Sequence, residues 1–434
     1  MNYHTIVTHE SPDLDAILSC LLLKKFGNEK FPGVEESKIV FISAGSLYLG
    51  KKSSKLLQEG IITVDTGGGK FDTHPDDNKV DKSKVDRSAS DLVAEYLGII
   101  NNPSLKNIIE YTRLHDSTGH SLTSKDQIHH LTSIQTILYG FKLLEPYNDI
   151  KVLRYGFEII DSIISYYSIT NTLSLENQNE IILKYLDDFL NNKTDIKLQY
   201  YEKLNEWKHR LSNNEVIAFP SEELDITTNL RTIVIGAYIN KNYDSKEVFH
   251  ICILSIVERE KKWFEAIEDL EKHAIVKKIG KSKVCYIKSA NPLVIKASRF
   301  IIKADLTIFH EQNTNAISFM IKKYGLFEKN FLYNLVICLR IAECVERKIQ
   351  YERERIISYG ESYHWFYHQS GNLVINGSDK SKSFEKSIIS TNDLLDLVYV
   401  ECSLSLNDSD NYNYPEKFKD EINNFKLASL RRNY

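Results

Sequence analysis

The six cysteines of this 434-residue chain, Cys20, Cys252, Cys285, Cys338, Cys344 and Cys402, include no Cys-x-x-Cys pair. Their scatter offers neither a zinc site nor a disulfide framework and suits buried small hydrophobes. An excess of positive charge is also lacking. Lys plus Arg number 55 against 59 Asp plus Glu, a net charge of -4, which excludes a polyelectrolyte that grips nucleic acid by bulk charge and leaves any phosphate-rich partner to a local patch. No apolar run is long enough to span a membrane, and the strand-like opening from Tyr3 to Thr8 lacks the basic-then-apolar stretch of a secretory signal. A soluble, cytoplasmic protein without membrane partners is therefore expected. No repeat at a fixed period and no extended low-complexity tract is found. What remains is ordinary for a globular enzyme: 42% hydrophobic and 26% charged residues, in a length that suits two or three domains at roughly 100 to 200 residues each.

Strand-like Thr5 to Thr8, helical Asp13 to Phe26, and strands Ile39 to Ser43 and Ile61 to Val64 alternate at the start, the rhythm of a parallel α/β sheet. Helical periodicity then dominates: Ala89 to Leu97, Leu105 to Leu114, Ile128 to Leu144, Val152 to Tyr167, Glu180 to Leu190 and Leu198 to Arg210. A polar break at Asn213 to Thr228 is followed by Ile- and Val-rich runs, Arg231 to Ile239 and Phe249 to Ile256, that read as strands. Further on come a helix near Trp263 to Glu271, a strand Val284 to Ile287, a helix Pro292 to Ile302, strands Leu306 to His310 and Ala316 to Ile321, and a helix Asn330 to Ile349. The expected class is α/β: a parallel-sheet N-terminal domain over 1–125, a helical connector over 126–213, a mixed α/β domain over 214–406 and a polar tail over 407–434 that is partly disordered or a terminal helix.

Chemistry concentrates where the first strand meets the first helix, in Thr8-His9-Glu10-Ser11-Pro12-Asp13-Leu14-Asp15. Ligands of parallel sheets bind at the carboxyl ends of strands, so His9, Asp13 and Asp15 converge on that rim. Two carboxylates two residues apart diverge, so that one joins His9 on a divalent ion while the other reaches a neighbouring ion. Both also suit a plain helix cap. A second strand ends in Asp65, and Gly67-Gly68-Gly69 leads to Asp72-Thr73-His74. A third stretch, Arg113-Leu114-His115-Asp116-Ser117-Thr118-Gly119-His120, closes a helix with an acidic residue in a small-residue loop, which equally suits a capping role.

This ordered set, His9-x-x-x-Asp13-x-Asp15, Asp65 after a strand, Asp72-Thr73-His74 and Asp116, resembles the motifs of the DHH phosphoesterase superfamily. That superfamily includes RecJ-type exonucleases, oligoribonucleases and manganese-dependent inorganic pyrophosphatases, and the glycine-rich spacing looks most like its MYG-type exonucleases. The resemblance covers residues 1 to about 125. It implies two Mn2+ or Mg2+ ions per chain, one among His9, Asp13 and Asp65, the second among Asp15, Asp65 and Asp116, with Asp65 bridging. Such a pair supplies an acidified water and a polarised phosphoryl group for in-line attack. Asp65, His74 and Asp116 are then the catalytic candidates. The sequence departs from the name-giving motif in one place: Thr73 stands where the first of two adjacent histidines belongs, so that His74 takes the metal role, or His115 or His120 compensates, or the second metal is weak.

Around this set, Arg87 and Arg113 are candidate phosphate contacts, since guanidinium matches phosphate oxygens bidentately. Ser88 and Ser90 suit a helix start, and His129-His130 reads as structural or exposed. In the C-terminal half, His310, His368 and Asn376 are candidates for substrate binding, although the run from His364 to Ser378 also reads as a β-hairpin with a Ser-Gly turn. The expected function is two-metal hydrolysis of a phosphodiester in a nucleotide or a short single-stranded nucleic acid, with homo-oligomer formation left open. Two alternatives stand beside it: a catalytically degenerate relative that binds a nucleotide or a partner protein, and a small-molecule phosphatase or pyrophosphatase.

Overall fold

The computed structural model describes residues 2–43, 46–73, 87–118, 134–168, 173–192, 198–213, 230–321, 326–327, 330–358, 360–367, 373–376, 385–406 and 412–430. It is α/β, and its chain divides into two compact units, Met1–Glu260 and Lys261–Tyr434.

In the first unit, β1 (Thr5–His9) lies between β2 (Lys38–Ile42) and β3 (Ile61–Thr63) in a three-stranded sheet of order β2-β1-β3, both neighbours parallel to it. Ile6 and Val7 are fully buried, as expected for a central parallel strand covered on both faces. The register pairs His9 with Ile42 and Val7 with Thr63, so the carboxyl ends of β1 and β3 lie side by side. Helix α1 (Leu14–Phe26) follows β1; all ten residues from Leu14 to Leu23 are buried, so it is apolar on every face and serves as the unit's central post.

The helices that follow are α2 (Ser53–Gln58), α3 (Ala89–Leu97), α4 (Pro103–Thr118), α5 (Ile134–Leu144), α6 (Asp149–Ser168), α7 (Leu175–Asn192), α8 (Leu198–Ser212), α9 (Leu230–Asn240) and α10 (Ser245–His273), of which α3, α4, α5 and α6 pack on α1 and α10 runs past the end of the unit. Gly156 on α6 lets Ile17 of α1 approach: a Cβ there would lie 2.7 Å from its Cγ2. Two expectations are corrected here. The runs 231–239 and 249–256, expected as strands, are helical, in α9 and in the first half of α10. Their β-branched residues are favoured in strands by propensity alone, and tertiary burial overrides that weak preference. The two compact units divide at Glu260, and both runs belong to the first of them.

In the second unit a mixed seven-stranded sheet has the order β4-β5-β6-β7-β10-β9-β8. Its strands are β4 (Ile275–Ile279), β5 (Ser282–Ser289), β6 (Leu306–Glu311), β7 (Ile317–Ile321), β8 (Gly360–Ser362), β9 (Trp365–Tyr367) and β10 (Leu373–Asn376). All neighbours are antiparallel except β5 and β6. The parallel pair is bridged by α11 (Leu293–Ala297), which runs on into a π-helical turn, Ser298–Ile302. Helices α12 (Phe331–Arg347), α13 (Arg353–Ile356), α14 (Thr391–Leu406) and α15 (Glu416–Leu430) complete the unit. Of the hairpin expected at 364–378, the antiparallel pair β9 and β10 is present, with Val374 opposite Tyr367, while its Ser-Gly turn lies outside the described residues. The tail is helical over α15, whose Phe418 and Ile422 are fully buried.

Candidate metal centre

β1 delivers His9 to the rim of the three-stranded sheet, and the two residues after it are each tied to neighbouring elements. The Glu10 N–H donates to Ile42 O at 2.7 Å, and the Glu10 carboxylate accepts from Ser43 Oγ. Ser11 adopts a left-handed φ of 53°; its N–H donates to Asp149 Oδ2 at 2.9 Å and its carbonyl accepts from Lys142 Nζ at 2.9 Å. Asp13 then caps α1, its Oδ1 accepting from the N–H groups of Asp15 and Ala16 at 3.0 and 3.1 Å. The capping oxygen, Oδ1, is also the one that faces His9, 3.9 Å from its Nε2. Two residues beyond the end of β3, Asp65 is itself left-handed, with φ 52°, and its N–H donates to Phe71 O at 2.8 Å. Gly67, Gly68 and Gly69 all have positive φ, and the Gly68 N–H donates to Asp72 Oδ2 at 2.8 Å, so the loop closes back on the strand end.

The result is one cluster. A nitrogen of His9 and a carboxylate oxygen from each of Asp13 and Asp65 lie within 4.8 Å of one another. His9 Nε2 is 3.2 Å from Asp65 Oδ2 and 3.9 Å from Asp13 Oδ1. In an octahedral sphere with bonds of about 2.1 Å, adjacent ligand atoms are about 3 Å apart and opposite ones about 4.2 Å, so these separations fit one small divalent cation. The donor chemistry fits as well. His9 Nδ1 donates to Glu10 O at 2.8 Å, which anchors the ring with Nε2 towards the two carboxylates, 3.2 Å from Asp65 Oδ2; an imidazole anchored in this way offers Nε2 to a metal ion once that nitrogen gives up its proton. Burial is the largest influence on Asp13 and pushes its carboxyl up, but His9, the Ala16 N–H, Lys142 and His115 together outweigh it and hold the carboxyl below the usual range. Access is graded: the Asp65 and His9 side chains are 8% and 14% exposed while that of Asp13 is 39% exposed, so solvent reaches the cluster from the Asp13 side.

No protein-family model matches this chain, and no curated protein matches its sequence.

Asp15 is brought near the cluster but turned away from it. It is 2% exposed, and its two carboxylate oxygens accept from the N–H groups of Ala89 and Ser90 at 2.6 and 2.9 Å. The first turn of α3 is thereby satisfied by a side chain from another helix. Burial, followed by the neighbouring Asp13 charge, pushes the Asp15 carboxyl up to about 6. Asp116 sits in the last turn of α4 rather than in a loop after it, and its side chain is exposed. Asp72 is buried and occupied with the glycine loop, while Thr73 is half-buried beside it. His74, His120, His129 and His130 lie outside the described residues, as does His368 of the second unit.

The candidate phosphate contacts have protein partners. Arg87 pairs with Glu95 at 2.6 Å, and Arg113 faces Asp91 at 3.8 Å. Ser88 caps α3 by accepting from the Asp91 N–H. Two further groups act on the cluster, the Lys142 ammonium, which sequence reasoning did not place, and His115; both lower the Asp13 pKa. His115 was named only as a compensating ligand, and no local pattern marks Lys142, whose contact with Ser11 spans 131 positions. Within the second unit, His310 Nδ1 meets the Tyr286 hydroxyl at 3.0 Å. Asn376 is fully buried, and its amide bonds to the carbonyl of His364 and the N–H of Ser387, so it ties β10 to neighbouring backbone.

Proposed function

We propose that this protein is a divalent-metal-dependent phosphoesterase that hydrolyses phosphodiesters in nucleotides or short single-stranded nucleic acid. The observation that carries the reading is the convergence of His9, Asp13 and Asp65 at the carboxyl ends of two parallel strands, in the spacing of a cation's ligands. The motif order of the DHH phosphoesterases, which the chain resembles, supports the same assignment. A bound Mn2+ or Mg2+ ion supplies Lewis acidity to a phosphoryl oxygen and acidifies a water at neutral pH. The chain's own part is to hold the three ligands with little freedom: His9 through Glu10 O, Asp13 through the α1 cap, and Asp65 through Phe71 O. Rigid ligands lower the reorganisation that accompanies charge development on phosphorus. A cytoplasmic location belongs to the same proposal, supported by six cysteines that are all free and buried.

A second reading, a relative that binds a nucleotide or partner without turnover, is favoured by Thr73 and by the engagement of Asp15 with α3. Hydrolysis assays decide between them, using labelled DNA and RNA oligomers, cyclic dinucleotides and pyrophosphate with Mn2+, Mg2+ or chelator, beside Asp65→Ala. The phosphoesterase reading expects Mn2+-dependent turnover that falls by at least about 10³-fold in the variant, the order of effect when a metal-activated nucleophile is lost. Nucleotide binding with no turnover of any substrate establishes the second reading instead.

A further inference from the structure

The phosphoesterase reading implies two ions, and two separate observations speak against the second. Both oxygens of Asp15, its expected ligand, are already held by the N–H groups of Ala89 and Ser90, in a position that is 2% exposed. Asp15 also lies outside the group of potential ligand side chains found among the described residues, which is His9, Asp13 and Asp65 alone. Thr73 stands where a histidine would supply imidazole, and a neutral hydroxyl is a poor substitute.

A positive charge is present on the same rim by other means. Lys142, half-buried near the end of α5, donates from Nζ to Ser11 O at 2.9 Å, in the middle of the loop that joins His9 to Asp13. The Ser11 N–H is fixed by Asp149 at 2.9 Å, so the loop and the ammonium are held together. A lysine ammonium is a compact point charge suited to phosphate oxygens.

Resting on the phosphoesterase reading, we propose that this is a one-ion centre: His9, Asp13 and Asp65 hold a single divalent cation, and Lys142 supplies the second positive charge that meets the substrate's phosphoryl group. The ligand class this selects is a phosphate ester or inorganic phosphate that bridges a metal ion and an ammonium.

The test uses the full chain and two probes, Mn2+ and inorganic phosphate. Equilibrium dialysis should give one Mn2+ per chain, with the electron paramagnetic resonance spectrum of an isolated ion. Asp65→Asn should abolish that binding. Lys142→Met should keep the Mn2+ stoichiometry but weaken inorganic phosphate binding to the Mn2+-loaded protein by about 10-fold, the usual scale for one charge-assisted contact, and Lys142→Arg should restore it. Two ions per chain with a spin-coupled spectrum, or unchanged phosphate affinity in Lys142→Met, overturns the one-ion inference and leaves the phosphoesterase reading standing. A chain that binds no Mn2+ at millimolar concentration sinks both. The stoichiometry is read on the unmodified protein, so a variant that fails to fold does not blur the result.

Discussion

Asp65 owes its place in the cluster to backbone conformations that few residues adopt. It is left-handed itself, at φ 52°, which aspartate tolerates better than most side chains. The turn that follows depends on Gly69, at φ 144°, where a Cβ would lie 2.6 Å from the Cβ of Ser53. Ser53 cannot yield freely, because its hydroxyl donates to Gly67 O and accepts from Thr63 Oγ1. Gly69→Ala therefore combines backbone strain with a clash, and should cost about 1–3 kcal/mol of stability. Urea unfolding measures the cost, and Mn2+ affinity should fall with it because the loop returns to the Asp65 N–H through Phe71 O. Unchanged stability would mean that the loop relaxes and is not the strut described. The residues of this centre were readable from sequence to the extent that the backbone alone places them. His9, Asp13 and Asp65 follow from two parallel strands ending on one rim. The fate of Asp15 depends on N–H groups 74 and 75 positions away, which no local pattern records.

At the scale of elements, the same distinction separates what was legible from what was not. The start of α1 was marked by Asp13 and the end of α3 by Gly98, left-handed at φ 72°, signals written in the chain itself. Helix α9 carries no such signal. Leu230 to Ala237 are all buried, so no polar face exists to show a 3.6-residue period, and Ile-Val-Ile then reads as a strand. What decides its state is packing: a Cβ at Gly236 would lie 1.9 Å from the carbonyl oxygen of Ser162 on α6. Gly140 on α5 meets Ser255 on α10 in the same way, at 2.1 Å. In isolation, Gly236→Ala would favour the helix by about 1 kcal/mol. Here the added methyl must push α6 and α9 apart, and overpacking of this kind costs about 1–3 kcal/mol. The expected outcome is a net loss of stability in thermal or urea unfolding, opposite in sign to the propensity effect. A stabilised variant would show that the two helices are not in backbone contact.

For the whole molecule, the pH dependence of stability provides a test that does not involve the His9, Asp13 and Asp65 cluster. His310 lies in the second unit on β6, with Tyr286 OH at its Nδ1. Burial, and after it the Lys288 charge, lower its pKa from 6.5, against a hydrogen bond with Asn315 that raises it. The folded chain thus holds the neutral imidazole more firmly than the unfolded chain does. Below the unfolded value near 6.5 the unfolded state takes up a proton that the folded state refuses, so this contribution is full above that pH and is lost as pH falls through the folded value. Wild-type protein should therefore lose more stability between pH 7.5 and 5.5 than His310→Asn, compared by urea unfolding at both values. Carboxylates common to both proteins cancel in that difference, which isolates the imidazole. An equal loss in the two would mean that His310 is solvated in the folded chain and that the β5–β6 pairing leaves its ring accessible. A smaller loss in the wild type would require the opposite sign of shift, with a carboxylate facing the ring, which is not among the influences acting on it.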